Sequence, residues 1–340
     1  MPEIASLTLI VSTAVVLIYR GQIADRAPLA WDEAARGYAG LQLADALDQH
    51  SLAAVFHWIN AQTFFPALAS APTGVLMWLG VGIQTAAWLP TLFFFVLAGF
   101  AIAALSHVLR LPTIACVASA AVFWFTPLLA KISAGSFTEP LGICVEVAIL
   151  IGLSLQARRS SFAVAALLGL GIGLATAVKY DYGILCFATV GLAEGIRFLS
   201  VRRLEAFYTA AVSVVSGLAL AGIQFAFNSS AKIAGASDVI SSNSGSAAKR
   251  YAKAFTAGRA GDFMYYPRLL FRGGELGLSR LVALCMVVGV ITALIWARKR
   301  PEWRPPMIFL GLWWVMYSLS RAKFPRYAAT SLPVLSIAAC

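Results

Sequence analysis

Apolar runs recur along the chain at residues 4–19, 87–107, 112–130, 139–156, 162–178, 183–199, 204–227, 278–297, 306–320 and 326–340. Each approaches the roughly 20 residues that carry a helix across a bilayer core, so each predicts a membrane-spanning helix. Two longer polar stretches interrupt them, 20–63 and 228–277. The first predicts one or two amphipathic helices: Ala39, Leu43, Ala46 and Leu47 fall on one face, while Gln42, Asp45, Asp48 and Gln49 lie off it. Such helices lie along a membrane surface. Residues 64–83 (FFPALASAPTGVLMWLGVGI) fit either a further span or a helix against the outer surface. Pro66 and Pro72 break a helix near its start, whereas Arg20, Arg26 and Arg36 after the first run mildly favour the spanning alternative. There is no internal repeat and no low-complexity tract. The pattern reads as one all-α membrane domain over 1–340, with about ten transmembrane helices.

Composition narrows the class. Of 340 residues, 60% are hydrophobic and only 12% are charged, about half the charge supply of a soluble domain. A cytosolic enzyme is excluded. The net charge of +11, from 26 Lys and Arg against 15 Asp and Glu, reads as the basic loops of a membrane protein. Nucleic acid is not an expected partner, because no basic run is interleaved with aromatics in a polar segment. The five cysteines sit singly in apolar stretches, which suggests neither a disulfide framework nor a zinc site. Residues 4–19 make a poor signal peptide, with Glu3 ahead of them and no A-x-A site behind, and read as a retained first span.

The connections between spans split into two sets. Arg110, Arg158 and Arg159, Arg197 with Arg202 and Arg203, and Arg298, Lys299, Arg300 and Arg304 mark short basic turns, which the positive-inside rule assigns to the cytoplasm. These alternate with Lys131–Glu139, Lys179–Asp181, the 228–277 loop and Arg321–Arg326, which then face outward. In a chain this short of charge, ionisable groups near spans are informative. Trp31-Asp32-Glu33 pairs two adjacent carboxylates, which suits a general base or a divalent-metal ligand; the alternative is Asp32 as a helix cap with Glu33 at the helix's positive end. Ser136-Phe137-Thr138-Glu139-Pro140 reads as a helix start with an acidic first turn. Lys179-Tyr180-Asp181-Tyr182-Gly183 reads as a Lys–Asp pair between spans. Ser320-Arg321-Ala322-Lys323-Phe324-Pro325-Arg326-Tyr327 puts three cations within six residues on the outward side, against the charge rule. Residues 249–280 add seven cations, Arg268 and Arg272 among them, against Asp262 and Glu275. Guanidinium forks suit phosphate, and nonspecific binding of anionic headgroups is the alternative.

The order of these features resembles a family. A first span, an acidic Asp-Glu loop with amphipathic helices, a Thr-Glu-Pro turn and a Lys-Tyr turn lead to a late Lys-x-x-Arg-Tyr and a proline-bearing apolar helix (Lys323, Arg326, Tyr327, Pro333). This is similar to the GT-C glycosyltransferases, in particular the bacterial branch related to protein O-mannosyltransferases and aminoarabinose lipid A transferases. The resemblance runs along nearly the whole chain. It implies a GT-C-type bundle with extracytoplasmic surface helices over 20–86, a second large outer loop at 228–277, and a non-spanning 64–83. It also implies transfer of a sugar from a polyprenyl-phosphate donor to a lipid, glycan or protein acceptor. The expected setting is the outer face of a bacterial inner membrane.

By that likeness Asp32 is the catalytic carboxylate, with Glu33 beside it and Glu139 as a second acidic position. Lys179, Lys323, Arg326 and Tyr327 hold the donor phosphate, joined by Arg268 and Arg272. No cofactor is assigned, and a divalent cation, if any, would sit at Asp32 and Glu139. Relatives often continue into further spans or an outer domain, whereas this chain stops thirteen residues after Tyr327, as a compact member or a piece of one. The rival reading is a transporter or flippase for an anionic or lipid-linked solute, which calls for internal repeats and broken helices.

Overall fold

A computed structural model describes residues 2–23, 32–62, 66–135, 137–202, 204–226, 262–271, 276, 278–320 and 325–340. Every regular element among them is helical. The chain begins with α1 (Pro2–Ile18). Three short helices follow, α2 (Asp32–Asp48), α3 (Leu52–Ala61) and α4 (Ala71–Trp78), before the long α5 (Ile83–Val108). Then come α6 (Thr113–Trp124), α7 (Pro127–Ser133), α8 (Glu139–Gln156), α9 (Phe162–Val178), α10 (Tyr180–Val201) and α11 (Leu204–Ala226). The last described part holds α12 (Tyr265–Phe271), α13 (Arg280–Lys299), α14 (Arg304–Leu319), a 3-10 turn at Pro325–Ser331 and α15 (Leu332–Ala338).

Five of these helices, α5, α8, α10, α11 and α13, are long and apolar enough to cross a membrane. The other runs read as spans are helical but shorter or broken. α1 and α9 have 17 residues each and α14 has 16. The 112–130 run is two helices bent by 63°. Pro127 opens the second of them, since proline lacks the amide that would continue α6 and restricts the residue before it. Only Phe125 and Thr126 occupy the break, and Thr126 Oγ1 donates back to Val122 O at 2.7 Å. The 326–340 run is likewise a 3-10 turn followed by a seven-residue helix with Pro333 in its first turn. Within 64–83, the eight residues of α4 reach only about 12 Å, well short of the roughly 30 Å of a bilayer core.

The α2–α4 unit packs by the amphipathic face seen in the sequence. Ala39, Leu43 and Ala46 are buried, and Trp58 Nε1 of α3 donates to Ala39 O at 2.8 Å. Gly74 lets α4 approach so closely that a Cβ there would meet Gly40 O and Leu43 Cβ at 2.7 Å each.

Within the bundle, small residues set helix spacing, as expected where lipid removes the hydrophobic drive between helices. Gly169 and Gly173 of α9 face α11, where a Cβ on either would run into Ser216 or Leu220. Gly99 of α5 similarly accepts the ring of Trp124, whose Nε1 donates to Phe95 O at 3.3 Å.

The basic turns meet at one end. Arg158 donates to Val108 O and, with Arg110, reaches the buried carboxylate of Glu302, at 3.4 and 3.6 Å. Trp303 Nε1 donates to Leu109 O at 3.2 Å. Next to them, Arg197 joins Glu194 and Thr209, and donates to Ser160 Oγ at 2.6 Å. The Thr138-Glu139 start of α8, Lys179 and Arg326 lie at the opposite ends of the same helices.

Replacing Gly169 or Gly173 with Leu is expected to destabilise the bundle by about 1–3 kcal/mol, the usual cost of overpacking. The check is a lower unfolding temperature in detergent. Gly191→Leu is the control, since a Cβ at Gly191 meets nothing within 4 Å.

Candidate functional site

α8 begins on a Thr138-Glu139-Pro140 turn, with proline in the first turn, where its missing amide costs nothing. Glu139 therefore sits at the positive end of the helix dipole. It is 2% exposed, and a charge so buried must be compensated. Lys179 does part of this. Its backbone is extended (φ −164°, ψ 136°) between the end of α9 and the start of α10, and its Nζ lies 4.0 Å from Glu139 Oε1 and 3.3 Å from Asp181 Oδ2. Arg326, from the 3-10 turn, brings its Nε to 3.9 Å from the same Glu139 oxygen. Arg36 of α2 is buried, lies 5.6 Å from the centre of the Phe137 ring, and adds a third positive charge acting on Glu139.

Aromatic rings wall the cations. Lys179 Nζ lies 5.0 Å from the Tyr182 ring centre and 4.9 Å from that of Tyr327. Tyr317 stacks on Tyr327 at 4.9 Å, and its hydroxyl donates to Asp181 Oδ2 at 3.0 Å. The Tyr182 ring fits against α8 only because residue 142 is glycine, since a Cβ there would strike the ring. Glu33 approaches from α2, its carboxylate against Gly135 where a Cβ would collide with it.

The electrostatics follow from this packing. Burial alone would lower the Lys179 pKa, but Asp181, Tyr327 and Glu139 outweigh it and hold the ammonium above the usual lysine value. The cations lie beyond hydrogen-bond length from Glu139, and Glu139 Oε2 accepts no hydrogen bond among the described residues. The arrangement is a positive rim around one carboxylate, and guanidinium and ammonium groups suit a further anion such as phosphate.

No family model and no curated protein matches the chain. Solved structures do. ArnT from Cupriavidus metallidurans in the apo state superposes with a TM-score of 0.69 at 18% identity, covering 100% of this chain and 59% of ArnT. The same protein bound to undecaprenyl phosphate gives 0.64 at 19% identity, covering 98% and 59%. The apo oligosaccharyltransferase of Archaeoglobus fulgidus gives 0.60 at 12% identity, covering 98% of this chain and 50% of that one. The chain has the GT-C fold. It spans 59% of the length of ArnT and 50% of that of the oligosaccharyltransferase, and at such identities the fold is what it shares with them.

On the GT-C frame the expected residues separate. Glu33, Glu139, Lys179, Arg326 and Tyr327 converge at one end of the bundle. Asp32 is the first residue of α2, but its side chain lies outside the described residues, as do Arg272 and Lys323. Most of the 228–277 loop lies outside them too. Arg268 of α12 instead pairs with Asp262 at 2.9 Å and is half exposed; no contact among the described residues carries it to Glu139. A divalent cation does not fit at Glu139, whose neighbours are themselves cations. No group of three His, Cys, Asp or Glu side chains suited to a metal occurs among the described residues.

Three participants escaped the sequence reading of the site. Arg36 served there only as a loop charge, and Asp181 only as half of a capping pair. Glu146 was passed over. It lies about two turns along α8 from Glu139 on the same face, is 1% exposed, and neither of its oxygens accepts a hydrogen bond among the described residues. Asp181, Lys179 and Glu139 are the charges acting on it. An acidic residue inside an apolar run was the available signal.

Glu139→Ala is expected to destabilise the protein by about 1–3 kcal/mol. That is less than the 3–5 typical of a fully buried pair, because Lys179 and Arg326 keep 21% and 30% exposure and water screens them. Thermal unfolding in detergent measures it. A group whose pKa is raised on folding contributes stability that is complete below its unfolded value, about 10.4 for lysine, and is lost only above the folded one. The gap in unfolding temperature between wild type and Lys179→Met is therefore expected to stay constant from about pH 7 to pH 9.5. A gap that closes within that range contradicts the assignment.

Proposed function

We propose that the chain transfers a sugar from a polyprenyl-phosphate carrier to a hydroxyl of a lipid, glycan or protein acceptor. The observation that carries this reading is the positive rim of Lys179, Arg326 and Arg36 around Glu139 at one end of a GT-C bundle. Undecaprenyl phosphate in the ArnT structure supports it, being a lipid phosphate bound by a protein of the same fold. The clustering of basic turns at the far end of the bundle supports a site on the extracytoplasmic face by the positive-inside rule. A bacterial inner membrane suits a carrier of that kind.

The chemistry is a single displacement. The acceptor oxygen attacks the anomeric carbon, the bond from that carbon to the phosphate oxygen breaks, and its electron pair leaves on the phosphate. A carboxylate takes the hydroxyl proton; Asp32, with Glu33 beside it at the start of α2, has that role. The departing lipid phosphate is stable as an anion and needs no general acid. Its growing charge is met by Lys179 and Arg326, and such aimed electrostatic groups are typically worth about 3–4 kcal/mol. Asp181 and Tyr317 hold Lys179 in place through the 3.3 Å ion pair and the 3.0 Å hydrogen bond. The anomeric centre inverts.

The test is transfer from radiolabelled polyprenyl-phosphate sugars to a membrane lipid extract by the purified protein. Wild type is expected to transfer label. Lys179→Met is expected to lose about 10²–10³ in rate, and Asp32→Asn about 10²–10⁴. Unimpaired transfer by Lys179→Met contradicts the phosphate assignment, and unimpaired transfer by Asp32→Asn removes Asp32 as the base.

A further inference from the structure

An aromatic ring lies between the carboxylates and the cations of the site. Glu33 and Arg36 are one turn apart on α2, and Phe137, two positions before Glu139, sits against both. The Arg36 guanidinium carbon is 5.6 Å from the centre of the Phe137 ring. On the Glu33 side, a Cβ at Gly135 would strike both the Glu33 carboxylate and the edge of that ring, so carboxylate and ring are packed into one corner. Thr91 Oγ1 of α5 donates to Phe137 O at 3.4 Å and ties down the backbone there.

This ring is placed unlike the tyrosines of the site. Tyr182, Tyr317 and Tyr327 are buried, and their faces are committed to Lys179 and to one another. Phe137 has no hydroxyl and is only half-buried, beside an arginine and a glutamate. Apolar surface left in water at a charged mouth is unfavourable. What covers it best is a ligand with one apolar face and a polar edge. A pyranose is such a group: its C–H bonds gather on a face, which the negative face of an aromatic ring attracts, and its hydroxyls project from the edge, where charged side chains bond them.

The displacement needs the sugar in this place. Its anomeric carbon must lie between the carboxylates at the start of α2 and the phosphate on the rim, and Phe137 sits between Glu33 and Arg36, one from each group. We propose that Phe137 is the platform on which the donor's pyranose stacks, with Glu33 accepting a hydrogen bond from a hydroxyl at its edge, so that the site selects a sugar with an uninterrupted C–H face. The inference rests on the reading of the cations as a lipid-phosphate site.

The experiment measures binding of sugar-bearing and sugar-free carriers to wild type and Phe137→Leu in nanodiscs. The probes are undecaprenyl-phosphate glucose, mannose and arabinose, each as the pyranoside, and undecaprenyl methyl phosphate, a diester of the same charge without a sugar. Wild type is expected to bind at least one pyranosyl lipid about threefold to tenfold more tightly than the methyl diester, the scale of one stacked ring. Phe137→Leu is expected to remove that preference and to leave binding of the methyl diester within about twofold. Equal weakening of all the lipids means that the ring only holds Arg36 in place, and it overturns the proposal. So does a preference that survives in the variant, or the lack of any preference in wild type. Binding of none of the lipids by wild type brings down the lipid-phosphate reading itself, and this proposal with it. Should Phe137→Leu fail to fold, Phe137→pentafluorophenylalanine decides the matter, since it keeps the ring's shape and reverses the charge of its face. The sugar preference is expected to vanish there too, and its survival overturns the stacking.

Discussion

A carboxylate buried at the first turn of a membrane helix organises this protein. Glu139 is 2% exposed, and an uncompensated charge there would cost several kcal/mol. The fold brings it cations from three separate parts of the chain: Arg36 from α2, Lys179 from the junction of α9 and α10, and Arg326 from the 3-10 turn at Pro325–Ser331. Their positive charge offsets the burial of Glu139 and favours its ionised form. The result is a positive rim that exists before any ligand arrives, the kind of preorganisation that stabilises charge developing on a leaving group.

The helices around this pairing are arranged to keep it in register. Lys179 can reach both Glu139 and Asp181 because α9 stops at residue 178 and α10 starts at 180, with one extended residue between them. α10 can lie against α8 at this point because Gly142 leaves room for the Tyr182 ring. At the other end, Glu302 ties the turn after α5 to the turn after α8. The two ends thus differ in kind. One is a structural clamp in which arginines are consumed by Glu302, Glu194 and backbone carbonyls, and at the other Lys179 and Arg326 lie about 4 Å from Glu139, with Lys179 also paired to Asp181.

Much of this was legible in the residues. The apolar periodicity predicted an all-helical membrane bundle, the face of Ala39, Leu43 and Ala46 predicted how α2 packs, and the Thr138-Glu139-Pro140 turn predicted where α8 starts. Periodicity failed at the 112–130 run, where hydrophobicity continues through a break that Pro127 imposes on the backbone. It failed again at 326–340, where an apolar stretch folds as a 3-10 turn and a short helix. The site was only half visible for a different reason. Glu139 and Arg326 are 187 positions apart, and Tyr317 and Asp181 are separated by 136; no local pattern encodes such a meeting. Arg36 looked like a loop charge because its partner is supplied by another helix. Glu146 could have been found by asking why an acid interrupts an apolar run.

The most direct test of the central claim is a structure of the protein determined with undecaprenyl phosphate. The account predicts the phosphate within hydrogen-bond reach of Lys179 Nζ and the Arg326 guanidinium, about 2.7–3.2 Å, with Glu139 still buried behind them. A phosphate bound elsewhere, with Lys179 and Arg326 contacting only Glu139 and Asp181, would contradict it.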